Sequence, residues 1–203
     1  MSAERGDRRT FLVGVGAAVA TLVGLTAGQS FDLLAPVNLF APRVKGQGPQ
    51  GLPVNRTAAQ AGVQDVILDP AWRLHLESPS RLIDLSRDDL KGMPQTEAVL
   101  PIACVEGWST AAHWRGVQLA YLLQLAGVGP DRTVRIESVQ PRGPYRVTTM
   151  PPHYAWDPLT LVALELNGET INVDHGFPCR IIAPGRPGVL QTKWLHAIRE
   201  EPT

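Results

Sequence analysis

From residue 70 onward, the apolar residues of this chain come in short runs that alternate with polar residues or stop at a glycine or proline. Gly 19 and Pro 18 in 203 residues make turns plentiful and leave little room for long helices. In "WRLHLE", Trp72, Leu74 and Leu76 alternate with Arg73, His75 and Glu77, the pattern of a half-buried strand. "AVLPIACV" reads as a strand interrupted by Pro101, which confines it to an edge or a bulge. "TVRIESV" is a further strand, and "LVALELNGETINV" is a hairpin in which Asn167-Gly168 supplies the two positive φ values of a type I′ turn. "CRIIAP" and "KWLHAIR" are expected to finish the sheet. One amphipathic helix is predicted through "WRGVQLAYLLQLAGV", with Leu119, Leu122, Leu123 and Ala126 on one face and Gly127 closing it. "SRDDLKGMP" adds one helical turn, with Ser86 as N-cap, Asp89 three residues on, and Gly92 and Pro94 as stops. There is no internal repeat. The expected class is α+β, dominated by antiparallel strands.

Two segments of different character precede this pattern. Arg8 and Arg9 stand before an uncharged stretch from Thr10 to Phe31, whose length suits a membrane-spanning helix. Basic residues ahead of such a stretch place the rest of the chain outside the cytoplasm. The "RRTFL" start resembles a twin-arginine export signal. A cleaved signal, a retained anchor and the last helix of a longer membrane protein all fit, because Thr26-Ala27-Gly28 offers small residues without a clear cleavage pattern. Ala35 to Pro53 is rich in proline and glycine, has no period, and reads as a semi-extended linker. "VNRTAAQAG" comes next, a polar segment without an apolar repeat. The expected organisation is a signal or anchor over 1–30, a linker over 31–50 and a folded domain over 51–203.

Lys+Arg 19 against Asp+Glu 19 gives a net charge of zero. A generic nucleic-acid binder needs a basic surface, so that class is disfavoured. Two cysteines exclude a disulfide-dense scaffold. One of them opens "CVEGWS", where Cys104 leaves a strand and meets an acid, a glycine and an indole; packing alone gives no reason for that succession. The C-terminal third, "LNGETINVDHGFPCRIIAPGRPGVLQTKWLHAI", sets His175, Arg180 and Lys193 in segments that otherwise read as core strands and tight turns. Charge there is costly unless something anionic meets it. Three donors of this kind suit a phosphate, with Arg giving a fork and Lys a point charge; ordinary surface charge is the other reading. Cys179 reads as a small buried apolar residue, or as the partner of Cys104 in a disulfide. His75, His113, His153 and His196 lack zinc-type spacing and read as surface or satisfied core residues, with His113 and His153 candidates to approach a substrate. Glu106 reads as a solvated turn residue or a supporting carboxylate, and Asp157 as a turn cap.

Taken in order, "LPVNRTAAQAG", "CVEGWS" and "NGETINVDHGFPCRIIAPG…TKW" resemble the sulfite oxidase family of molybdopterin enzymes, over roughly Gly51 to Glu200. The cysteine segment is similar to that of the bacterial branch containing the periplasmic methionine-sulfoxide reductase catalytic subunit. The resemblance implies a mainly antiparallel, sulfite-oxidase-type molybdopterin-binding domain behind an N-terminal apolar helix. It implies a molybdenum-molybdopterin cofactor (Moco) with Cys104 as the protein's ligand to the metal, a soft thiolate on a metal already bound by sulfur. Gly107 would allow a tight turn there and Trp108 would wall the site. His175, Arg180 and Lys193 would hold the terminal phosphate, while Asn55, Arg56, Ser138 and Thr192 would contact the pterin or its phosphate. The implied chemistry is oxygen-atom transfer on a small sulfoxide- or sulfite-like substrate. Sulfite-oxidising relatives carry arginines just after the cysteine and "CVEGWST" has none, which favours a less charged substrate unless Arg142 and Arg146 in "QPRGPYR" supply the charge. No C-x-x-C-H haem motif occurs, so electrons are expected from a partner, a membrane haem protein or a soluble cytochrome. The competing reading is an exported β-rich binding module with the same fold, no cofactor and a Cys104–Cys179 disulfide.

Overall fold

The structure is a computed structural model that describes residues 13–17, 48–103 and 109–202. Residues 13–17 are helical and fall in a unit spanning Met1–Arg43; the rest belongs to a second unit, Val44–Thr203. No helix among the described residues is long and apolar enough to cross a membrane. The Thr10–Phe31 stretch, apart from residues 13–17, and the linker as far as residue 47 lie outside the described residues, as do Cys104, Glu106, Gly107 and Trp108.

The strands of the second unit, in chain order, are β1 (Leu74–Ser78), β2 (Arg81–Leu85), β3 (Thr96–Ala103), β4 (Ser109–Gln118) and β5 (Val134–Ser138). They continue as β6 (Val147–Met150), β7 (Leu161–Leu166), β8 (Glu169–Thr170), β9 (Arg180–Ile182) and β10 (Leu195–Glu200). The helices are α1 (Ala58–Ala61), α2 (Gln64–Leu68), α3 (Arg87–Gly92), α4 (Leu119–Ala126) and α5 (Pro152–Ala155). One sheet has the order β2-β1-β10-β5-β6; the other runs β3-β4-β7-β8, with β9 also on β7. Every pairing is antiparallel except β1 with β10, where His75, Leu76 and Glu77 lie opposite Ala197, Ile198 and Arg199. The expected mixed, mainly antiparallel class therefore holds, and Pro101 does sit on an edge strand. Asn167 and Gly168 both have positive φ, 51° and 82°, as the hairpin requires.

Three expectations are corrected. "CRIIAP" and "KWLHAIR" do not finish one sheet: β9 joins β7, and β10 lies between β1 and β5. The helix does not begin at Trp114, because residues 114–118 belong to β4. Gly116 explains this, since a Cβ there would stand 2.2 Å from the Val162 carbonyl oxygen, so the glycine serves a close strand approach. "VNRTAAQAG" is not featureless. Thr57 accepts from the Gln60 amide at 3.1 Å while the Gln60 side chain accepts from the Thr57 amide at 3.0 Å, a capping box that starts α1.

The main core lies between the two sheets and α4, which contributes Leu119, Leu122, Leu123 and Ala126. β7 is buried on both faces: Val162 and Leu164 enter this core, while Leu161, Ala163 and Leu166 join a second cluster with Leu52, Ile102 and Trp114. A strand covered on both sides reads as a continuous apolar run, as "LVALEL" does. A third cluster packs α1 and α2 on Trp194. The segment before α1 places Leu52 on the second cluster, and a cavity opens beside it.

Candidate functional site

Five segments enclose a cavity of about 220 Å³. They are residues 52–56, Ile102 near the end of β3, Gln140 with Gly143–Tyr145 in the β5–β6 loop, His175 with Arg180, and the approach to β10 from Gly188 to Trp194. Six of the residues expected from sequence meet here: Asn55, Arg56, His175, Arg180, Thr192 and Lys193. Among the described residues, no carboxylate lines it.

A tight turn brings the cations together. Asn172 receives the amides of His175, Gly176 and Phe177 on its carbonyl oxygen, which folds residues 172–177 back on themselves. Gly176 sits at φ 119°, and a Cβ there would lie 3.0 Å from Arg180 Cβ and 3.2 Å from Lys193 Cβ. Only glycine lets these two side chains flank the turn.

Arg180 is 3% exposed, and among the described residues it has no carboxylate partner. Its guanidinium donates to the carbonyls of His175 at 3.0 Å and Gln191 at 3.2 Å, and lies 5.2 Å over the Trp114 ring. Burial pushes its pKa down to about 10, which leaves it charged at neutral pH. Lys193 donates to the carbonyls of Arg56 at 2.6 Å and Asp174 at 2.8 Å, over the Trp194 ring. Burial, then Arg180, pushes its pKa down to about 7, against the pull of Asp174. His175 hydrogen-bonds the Pro49 carbonyl through Nε2 at 2.7 Å. Burial above all, with Arg180 and Lys193 adding, drives it down to about 4, so it is neutral at pH 7 with Nε2 carrying the proton. Buried cations held by carbonyl dipoles and aromatic faces form a wall that an anion would complete.

The other candidates take varied places. Arg56 donates to Gln140 Oε1 at 2.8 Å, tying the segment before α1 to the β5–β6 loop. Thr192 is 4% exposed, and its hydroxyl lies 3.2 Å from that of Thr148. Ser138 does not line the cavity; its hydroxyl donates to the Lys193 carbonyl at 2.8 Å and so braces that residue from behind. Cys104 lies outside the described residues, while Ile102, two positions earlier, is on the cavity wall. Cys179 is a buried free thiol whose pKa burial raises, in keeping with the reading of a small buried apolar residue. His113 pairs with Glu97, His75 with Asp84, and His153 packs on Tyr154; none lines the cavity. Arg142 and Arg146 do not line it either, although neighbours on their loop do. Asp157 accepts from the Leu159 amide at 2.8 Å, the expected turn cap. Sequence reasoning missed Gln140, Gln191 and Tyr145 on the wall; their only local signal is a polar loop.

The donor set fits a phosphate-bearing heterocycle. A guanidinium, an ammonium and a histidine stand at one part of the wall, and Leu52, Val54, Ile102, Pro144, Val189 and Trp194 supply apolar surface for a flat ring.

Comparison with known proteins agrees. Human mitochondrial sulfite oxidase is 31% identical over 164 residues, covering 66% of this chain and 30% of that protein. The protein-methionine-sulfoxide reductase catalytic subunit MsrP of Gluconobacter oxydans is 35% identical over 118 residues, covering 51% of this chain and 38% of that protein. The chain thus spans about a third of the length of these relatives. The solved sulfane dehydrogenase SoxCD of Paracoccus pantotrophus shares the fold, with a TM-score of 0.58 at 21% identity over 64% of this chain and 38% of that one. Residues 60–202 match the family described as the oxidoreductase molybdopterin binding domain, and the chain belongs to that family.

Proposed function

We propose that the cavity holds the pterin of a molybdenum cofactor, with His175, Arg180 and Lys193 meeting its terminal phosphate and Cys104 as the protein ligand to the metal. Asn55, Arg56 and Thr192 contact the pterin or its phosphate, and Ser138 acts through the Lys193 backbone. When bound, the cofactor supplies oxygen-atom transfer to or from a small sulfoxide- or sulfite-like substrate. The protein's part is position and electrostatics. Arg180 provides a fixed positive charge in a desolvated wall, where it acts more strongly on an anion than it would in water. Lys193 gains a full proton when the anion arrives, and the Nδ1 of His175, a lone pair in this tautomer, accepts a hydrogen bond from a protonated phosphate oxygen. The buried part of the apolar wall, Leu52, Ile102 and Trp194, offers a water-poor surface to the ring. The absence of arginine after Cys104, together with Arg142 and Arg146 lying off the wall, supports a sulfoxide over sulfite. Electrons exchange with a redox partner, a membrane haem protein or a cytochrome. The twin-arginine-like start supports a location outside the cytoplasm, with the N-terminal stretch acting as signal or anchor.

The observation that carries this reading is Arg180, a buried cation without a carboxylate among the described residues, on a cavity that no described carboxylate lines. Chain made in a molybdenum-replete host is expected to carry molybdenum and pterin in equal amounts. Arg180→Ala should weaken pterin retention by on the order of 2–5 kcal/mol, with Lys193→Ala milder. Wild-type chain free of both, or full occupancy in both variants, overturns the assignment.

A further inference from the structure

Gln50 lies just outside the cavity wall, at the end of the linker, in a backbone conformation that side-chain-bearing residues seldom adopt, φ 56° and ψ 23°. The contacts around it explain why that conformation persists. Its Nε2 donates to the carbonyls of Leu166 at 3.0 Å and Thr170 at 3.1 Å, at the turn end of the β7–β8 hairpin. Its Oε1 accepts from the Asn172 amide at 2.8 Å, and its own carbonyl accepts from Asn167 Nδ2 at 2.8 Å. One side chain thus reads both sides of the hairpin and the first residue of the turn that carries His175.

The neighbour of Gln50 completes the arrangement. Pro49 presents its carbonyl to His175 Nε2 at 2.7 Å, while Asn172, held by Gln50, accepts the His175 amide at 2.9 Å. His175 is therefore gripped at ring and backbone by two contacts that both depend on where Gln50 docks. A carbonyl accepts only an N–H, so Pro49 fixes the proton on Nε2 and leaves Nδ1 as an acceptor, which meets a phosphate through the O–H of its protonated oxygen. Strained backbone is retained where surrounding contacts over-determine it, and here those contacts converge on one histidine.

We infer that Gln50 is the positioning residue of the anion site, setting the tautomer and orientation of His175 through Pro49 and Asn172. This rests on the reading of the cavity as a phosphate site. Sequence gives no hint of it, because Gln50 sits in the linker-like "GQGPQGLP" more than a hundred residues from its partners.

The test uses the full chain made without cofactor, with imidazole nitrogen NMR on His175 and calorimetric titration with inorganic phosphate. Gln50→Gly is the informative variant, because glycine adopts φ 56° freely and only the side chain is lost; Gln50→Met, of similar size, is the second. Wild type is expected to show a single Nε2–H tautomer. Both variants should show a mixture of tautomers and about tenfold weaker phosphate binding. His175→Ala should weaken binding similarly, and adding Gln50→Gly to it should cost nothing more, since residues acting through one contact are not additive. An unchanged tautomer in both Gln50 variants, or losses that add in the double variant, overturns the proposal. Wild type that binds no phosphate overturns the phosphate reading instead, while the tautomer measurement still decides whether Gln50 positions His175.

Discussion

Lys193 carries two opposing demands, a charge useful to an anion and a burial that penalises it. Burial brings its pKa in the ligand-free fold to about 7, far below the 10.5 of an exposed lysine. Between those values the unfolded chain holds a proton that the folded chain does not, so stability must rise with pH. The ligand-free chain is therefore expected to gain stability between about pH 7 and 9, at up to about 1.4 kcal/mol per pH unit from this residue. Lys193→Met should remove that slope, and so should saturating cofactor, because the anion restores the proton. Melting curves at several pH values check this; equal slopes in wild type and Lys193→Met contradict it. Lys193, Arg180 and His175 are legible in the sequence because charge in an otherwise apolar strand-and-turn pattern demands a partner. Gln140 and Gln50 are not, because an uncharged amide in a loop costs nothing that a sequence can register. Their roles come from partners 84 and 116 residues away.

Among the elements, β4 shows where local pattern fails and why. The apolar face of "LAYLLQLA" is a true helix, but the five residues before it are also compatible with helical spacing. They become strand because β3 and β7 flank them, with Trp114 opposite Ala98 and Leu166 and Gly116 opposite Thr96 and Ala163. Only that pairing shows Gly116 as a close-approach residue, with Ala163 Cα 2.6 Å from where a Cβ would stand. Gly116→Ala is expected to destabilise the fold by about 3 kcal/mol through forced backbone movement, measured by urea unfolding; a loss below about 0.5 kcal/mol, the range of an ordinary surface substitution, contradicts the register. By contrast, Thr57 and Gln60 stand at capping-box spacing, yet α1 escapes a periodicity reading because it lacks an apolar stripe. Four residues with Ala58 and Ala61 buried are too few to make a period. The hairpin and the α3 turn are legible because their determinants, Asn167-Gly168 and Ser86 with Asp89, are local.

Over the whole molecule, strand content and antiparallel character can be read from the sequence, whereas the division into two sheets cannot. Nothing local tells β10 to run parallel to β1, since that pairing joins residues 75–77 to 197–199 across the length of the domain. The cavity depends on this closure, because β10 carries Leu195 and the preceding Lys193–Trp194 to the segment before α1, where Lys193 bonds the Arg56 carbonyl. The two cysteines then have distinct expectations. Cys179 is buried in the core between the sheets and free. Cys104 comes just after the edge strand β3, whose Ile102 lines the cavity, and as a metal ligand it would provide a thiolate that serine cannot replace. The most direct measurement is a side-by-side comparison of Cys104→Ser and Cys179→Ser for molybdenum content, pterin content, electron paramagnetic resonance signal and melting temperature. The account predicts that Cys104→Ser keeps most of its pterin but loses the thiolate signature and nearly all turnover, while Cys179→Ser keeps both with at most a packing penalty. Equal destabilisation of the two variants, with no change in the metal spectrum of either, would contradict it.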